Sequence, residues 1–398
     1  MTSSSYSEPA SAGLSRATLA AMAFACGAVV ANIYYVQPLL GVIGAAFPGA
    51  GTWVRLLPTA NQLGFAIGLL LLVPLGDGMD RRALIFAQLA ELALALVAAA
   101  LAPGPGMLFA SMVLIGIGAT LAQQIVPLAA ELASPARRGA TVGTVMSGLL
   151  SGILLGRVVS GTLAALLGWR AVFGLGVGLA GVIAVLLALT LPRGVAKERL
   201  SYRRLLASLL ALFVELPALR RAALVQAALF GAFSAFWATL ALHLADPPFR
   251  LGSSAAGLFG LVGLAGVLAA PLAGRISDRR GSRPVIALGA LLTLVAWAVF
   301  MALDRLAGLI AGTILLDLGV QMALIAHQSV IYALRPEARS RINTVFVTVM
   351  FAGGAAGSAC GGLAFGIGGW RAVGGLGLAL GMAGLFGHLR RSTLRRIA

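Results

Sequence analysis

Apolar runs of 18 residues or more follow one another along almost the whole chain, separated by short stretches rich in Gly, Pro, Asp and Arg. They lie at about 19–45, 54–73, 83–101, 107–132, 140–167, 171–191, 221–244, 253–273, 285–303, 306–333, 343–367 and 372–389. At about 1.5 Å per helical residue such a run crosses a hydrocarbon layer roughly 30 Å thick, whereas a membrane strand needs only about ten alternating residues. The pattern predicts an all-α membrane protein with 12 transmembrane helices, numbered here as spans 1 to 12. One run breaks the rule. "NIYYVQP", Asn32 to Pro38, puts two amides, two phenols and a proline inside span 1. Pro38 cannot donate to the carbonyl of Tyr34, and an unpaired carbonyl at membrane depth must face protein or a wet cavity. Asn32 and Tyr35 share one side of this helix, and Tyr34 and Gln37 another. The first pair is expected to face a central cavity.

Composition agrees. Of 398 residues, 60% are hydrophobic and 10% charged, against roughly 25% charged in a soluble domain. The net charge of +17 is sorted by loop: with a cytoplasmic N-terminus, 23 of the 29 Lys and Arg fall in cytoplasmic segments and five in outer loops. That asymmetry predicts cytoplasmic termini in a bacterial inner membrane, and it reads the basic charge as topology, with no nucleic-acid partner. The first run is too long for a signal-peptide core and is expected to be retained. Lys197 is the only lysine and no P-loop occurs. Cys26 and Cys360 both lie within spans, so no disulfide framework is expected, and no His has a neighbour at metal-ligand spacing.

The chain repeats itself at one offset. "GWRAV" occurs at 168–172 and at 369–373, 201 residues later. Asp77 in "PLGDGMDRR" and Asp278 in "PLAGRISDRRGSR" share that offset, as do Arg138 and Arg339. Two six-span units of equal orientation are therefore expected, 1–191 and 221–398, joined by a basic cytoplasmic linker at 192–220.

With these motifs the chain resembles the major facilitator superfamily over nearly its whole length. The strings "NIYYVQPLL", "AQQIVPLAAELASPARRG" and "DLGVQMALIAHQSVIYAL" are similar to its branch of drug:proton antiporters and arabinose-efflux-like permeases. The resemblance implies a fold in which spans 1, 4, 7 and 10 line a cavity. It also implies a cytoplasmic gate carried here by Asp278, Arg279 and Arg283, with a worn first copy in Asp77 and Arg82. An arginine that the family often places in span 4 and that the resemblance links to proton coupling is replaced by Met112, which either leaves the chain without that coupling residue or moves its role to Arg157.

Three ionisable residues lie well inside spans: Glu91, Arg157 and Asp317. An intramembrane charge costs several kcal/mol unless paired or wetted. Arg157 and Asp317 both sit roughly 15–17 Å below the outer surface at about 1.5 Å per residue, so they are expected to pair or to face one polar cavity. Asp317, Gln321 and Gln328 form a stripe within about 40°, and Gly148, Gly152, Gly156 and Ser160 form a small-residue packing ridge. Glu91 is open between structural pairing and proton carriage, and Trp237 between ligand stacking and a lipid-facing position. Gln123 and Gln124 complete the expected cavity.

These readings predict a secondary active transporter, not an enzyme, that moves a small organic molecule by proton-coupled efflux. A substrate engaging Arg157 is expected to free Asp317 for a proton, read as exchange. The proton gradient replaces any cofactor; the partners are substrate, protons and membrane lipids, and the protein is expected to be monomeric. Uniport or proton-symport uptake of a sugar, amino acid or other metabolite is the alternative on the same fold, and a non-transporting receptor or lipid-handling protein the alternative from another class.

Overall fold

The computed structural model describes residues 14–192 and 201–390, where all regular structure is helical. Arg193, Lys197, Arg199, Arg391, Arg395 and Arg396, counted above among the cytoplasmic charges, lie outside the described residues. Nine helices among those described are long and apolar enough to cross a membrane. The remaining spans come from two shorter segments and from one merged helix. Span 2 is Leu57–Leu71, span 8 is Ser253–Val262 continued by Leu264–Arg280, and Arg339–Leu389 bends at Gly368 and Gly369 into spans 11 and 12.

The other spans are Arg16–Tyr35 continued by Leu40–Ala46 (1), Arg81–Ala100 (3), Pro105–Ala119 continued by Ala122–Leu132 (4), Arg138–Leu167 (5), Trp169–Thr190 (6), Pro217–Ala245 (7), Ser282–Ala302 (9) and Leu306–Tyr332 (10). Most of the described linker is itself a helix, Tyr202–Glu215. It seats Leu209 and Leu212 in an apolar cluster with Ala222, Ile331 and Phe346. The Tyr202 hydroxyl donates to the Leu71 carbonyl at 2.8 Å. The end of the bundle that carries this helix is called the linker end, and the opposite end the far end.

The duplication is visible in the packing. Span 5 lays Gly148, Gly152 and Gly156 on Ala23, Gly27 and Ala31 of span 1; a methyl on Gly152 would stand 2.0 Å from the Gly27 carbonyl oxygen. Gly353 and Gly357 of span 11, the counterparts of Gly152 and Gly156 at the offset of 201, lie with Gly361 on Ala227, Gly231 and Ala235 of span 7, the same kind of close glycine contact in each half. With no solvent-driven attraction between helices in lipid, such backbone-to-backbone dispersion contacts hold the bundle together. The "GWRAV" copies mark equivalent corners, with Gly168 at φ 84° and Gly369 at φ 60°, a region natural for glycine.

Two further seams join the first six spans to the last six. Gly161 of span 5 meets Ser253 and Gly257 of span 8, and Gly362 of span 11, its duplicate, meets Arg55 beside span 2. Thr59 donates to Ser358 at 3.0 Å, Ser234 donates to Gln62 Oε1 at 3.1 Å, and Phe65 packs on Phe351 at 4.5 Å. These contacts run from the middle of the bundle to its far end.

Candidate functional site

Span 1 stops being α-helical at Tyr35, makes a 3-10 turn at Gln37–Leu39 and resumes at Leu40. Pro38 is the cause, since its ring nitrogen has no hydrogen to donate. The last carbonyls before the break are cared for from outside: Asn61 Nδ2 of span 2 donates to the carbonyls of Asn32 and Ile33 at 3.2 and 3.3 Å.

The turn aims Gln37 at the centre of the molecule. Its Oε1 accepts from Arg157 Nε at 2.8 Å. The guanidinium lies between two rings, 4.4 Å from the centroid of Tyr34 and 3.9 Å from that of Trp237. Arg157 is 3% exposed and Trp237 2%. Desolvated cation–π contacts contribute about 2 kcal/mol or more, so Arg157 is a fixed cation. Tyr34, Gln37 and Arg157 come from the first six spans and Trp237 from the last six, which makes the sandwich a bridge between them.

Asp317 lies on the other side of the same stretch of span 8. A methyl on Gly260 would stand 3.0 Å from Arg157 Cβ, and one on Gly263 would stand 3.6 Å from Asp317 Oδ1. The carboxylate is 6% exposed. The two charges act on each other electrostatically, but among the described residues they form no ion pair within 4.0 Å. Three buried polar atoms here lack a hydrogen-bond partner among the described residues: Arg157 Nη2, Asp317 Oδ2 and Trp237 Nε1. Buried polar atoms are nearly always partnered, so these three are the free hydrogen-bonding positions that the charged centre offers. Neither charge is duplicated: the offset of 201 sets Ser358 opposite Arg157 and Gly116 opposite Asp317.

Other expected positions fall elsewhere. Asn32 turns away from the centre; its Nδ2 donates to Ala28 and Val29 carbonyls of its own helix at 2.9 and 3.2 Å, and its Oδ1 faces Gly176 of span 6. Tyr35 lines an apolar groove of about 360 Å³ among spans 1, 5 and 6. The opposite pair, Tyr34 and Gln37, meets the charge, because an arginine recruits an acceptor and a ring while Asn32 satisfies itself locally. Gln124 is structural: its Nε2 donates to the Leu72 carbonyl at 2.9 Å, at the end of span 2. Gln123 lines a small cleft at the linker end with Arg81 and Arg341. Gln321 packs its Cγ near Gly266, one turn beyond Asp317. Glu91 is half-buried against Gly118 of span 4, both its carboxylate oxygens lacking a hydrogen-bond partner among the described residues.

The side chains of Asp77 and Asp278, expected in the gate, lie outside those described. Arg82 joins spans 3 and 6 of one half and not the two halves, donating to Leu191 and Ala188 carbonyls at 2.6 and 3.2 Å. Arg279 and Arg283 are exposed. Sequence reasoning missed Asn61 and Gln62. The signal was present, since two adjacent amides in an apolar run invite the question already asked of the charges.

Among the described residues, helices from two sequence-related parts of the chain meet around a polar centre, an arrangement that suits a membrane transporter. The family model of the Major Facilitator Superfamily matches residues 17–266 and 222–396, and the chain belongs to that family. It is 41% identical over 361 residues to the uncharacterized transporter YgaY of Escherichia coli O157:H7, covering 90% of this chain and 92% of the relative. To a probable transporter of Streptomyces coelicolor it is 36% identical over 372 residues, covering 91% and 85%. Among solved structures, a bacterial homolog of the human lysosomal transporter Spinster, inward-facing and occupied, superposes with a TM-score of 0.72 at 16% identity, covering 93% of this chain and 91% of that one. A peptide transporter in complex with alafosfalin gives 0.73 at 17% identity, covering 92% and 93%. These last two likenesses concern the fold.

Proposed function

We propose that this protein is a proton-coupled exporter of a small organic molecule of the drug:proton antiporter kind, with both termini and the 192–220 linker in the cytoplasm. The observation that carries the reading is the open oxygen of Asp317 beside a cation that is already held on three sides. A proton and a donor group of the substrate, an amine or hydroxyl, compete for Asp317 Oδ2. Competition for one acceptor makes the two ligands exchange: substrate leaves when a proton arrives, and the proton leaves when substrate arrives. Arg157 keeps the empty carboxylate charged between these events, and the indole Nε1 of Trp237 gives the substrate a second contact.

This corrects the sign of the earlier expectation. An anion bound to Arg157 would remove the counter-charge of Asp317 and so favour its protonation. Substrate and proton would then bind together, which is symport. Arg157 Nη2 is also open, so symport of an anion is the second reading. The closed far-end seams support a resting state open toward the linker end, as an exporter loading from the cytoplasm needs.

The test is a thermal-shift screen of purified protein against metabolites and drugs at pH 6 and pH 8, repeated with Asp317→Asn and Arg157→Ala. A ligand bound to the native state raises apparent stability. Antiport predicts a hit that is stronger at pH 8 and that keeps its binding but loses its pH dependence in Asp317→Asn. A hit stronger at pH 6 and lost in Arg157→Ala would favour symport, and hits indifferent to both substitutions would reject the site.

A further inference from the structure

At the linker end a cavity of about 390 Å³ opens among spans 7, 9, 10 and 12. Its volume falls within the roughly 300–1,000 Å³ typical of small-ligand sites. Its polar lining is all basic, comprising Arg221, Arg283, His327 and His388, above an apolar floor that includes Val225 and Ile286. It plays no part in the transport reading above.

The repeat explains why this cavity is charged. In the first half Arg82, at the start of span 3, holds the carbonyls at the end of span 6. Arg283 is its duplicate at the offset of 201, but the carbonyls ending span 12 are held by Arg221 of span 7. Arg221 donates to Gly387 at 3.1 Å and also to His388 and Arg390. Arg283 is thus released. Its guanidinium has no hydrogen bond or ion pair among the described residues, while its backbone carbonyl accepts from His388 Nε2 at 3.0 Å. His327 is fixed from behind, Nδ1 donating to Gln226 Oε1 at 3.0 Å.

An unpartnered arginine, a second arginine at a helix end and two imidazoles over apolar residues match a phosphodiester with an acyl chain below it. We propose that this cavity binds the headgroup of an anionic phospholipid such as phosphatidylglycerol. Basic pockets between spans on the cytoplasmic side bind such headgroups, and the linker end is the cytoplasmic end in the orientation proposed above.

The experiment measures Tm of the full-length protein in neutral detergent with added phosphatidylglycerol, phosphatidylcholine or inorganic phosphate, for wild type and Arg283→Gln. The substitution leaves the backbone carbonyl that His388 uses. Phosphatidylglycerol is expected to raise the wild-type Tm by about 2–4 °C, phosphatidylcholine and phosphate much less, and Arg283→Gln to lose more than half the shift. Equal shifts with both lipids, a full shift with inorganic phosphate alone, or an unchanged shift in Arg283→Gln would each overturn the proposal. The Tm of Arg283→Gln without lipid is the internal reference for any weakening of the fold by the substitution itself, and native mass spectrometry of retained lipid gives a readout independent of stability. Fewer retained phosphatidylglycerol molecules in the variant are expected, and equal numbers would overturn the proposal.

Discussion

The guanidinium of Arg157 stands 3.9 Å over the indole ring of Trp237, and the two residues belong to opposite six-span bundles. A contact worth about 2 kcal/mol when desolvated shifts a two-state equilibrium roughly 30-fold. Trp237→Ala should therefore open the far end. Reactivity of a cysteine placed at Ala241, buried near Gly41 of span 1, should rise about tenfold or more in a Cys360→Ser background, and Trp237→Phe should give an intermediate value. Unchanged labelling in Trp237→Ala would mean that the sandwich does not hold the halves together.

Two glycines should fail in different ways. Gly152 touches the Gly27 backbone inside one bundle, whereas Gly161 touches Ser253 and Gly257 across the seam. Gly152→Val overpacks a core contact and should lower Tm, by about 1–3 kcal/mol of stability or more. Gly161→Val should leave Tm nearly unchanged and shift the protein toward the state open at the far end. Interspin distances across the far end separate the two outcomes.

Arg82 is expected to act on stability. Its two hydrogen bonds tie spans 3 and 6 of one bundle, and hydrogen bonds to charged groups contribute about 1.5–3 kcal/mol each. Arg82→Gln should lower Tm by several degrees and leave the KM for transported substrate within about twofold. A large change in KM with unchanged Tm would restore Arg82 to the gate.

The fold was legible because lipid leaves few choices: run length, arginine asymmetry and the offset of 201 each constrain it. Arg157 and Asp317 were legible as candidates because charge inside a span is rare enough to be meaningful, and both lie close to the Gly260–Gly263 stretch of span 8. The facing of "NIYYVQP" was not. A helical wheel groups Asn32 with Tyr35, but it does not say which group turns inward, and the 3-10 turn at Gln37–Leu39 ends its regular period. The role of Gln124 was hidden for a related reason, since its partner carbonyl at Leu72 lies 52 residues away and a loose helix end is not visible in composition. Arg82 and Arg283 are equivalent in sequence, yet only the packing shows that Arg221 has taken over the work of one of them.

The competition at Asp317 fixes the direction of pH dependence. With substrate and one proton sharing Oδ2, lowering pH should weaken substrate binding, by up to about tenfold per unit once Asp317 is mostly protonated. Isothermal titration across pH 5 to 9 measures it. Tighter binding at low pH would replace antiport by symport.

The most direct measurement uses Asp317→Asn in proteoliposomes loaded with a screened substrate. Counterflow of labelled substrate at equal pH on both sides should persist, because the neutral amide still allows the halves to exchange. An imposed pH gradient should no longer drive net uphill movement. If Asp317→Asn still coupled substrate movement to the gradient, the carboxylate would not be the shared site, and the account of exchange built on it would be wrong.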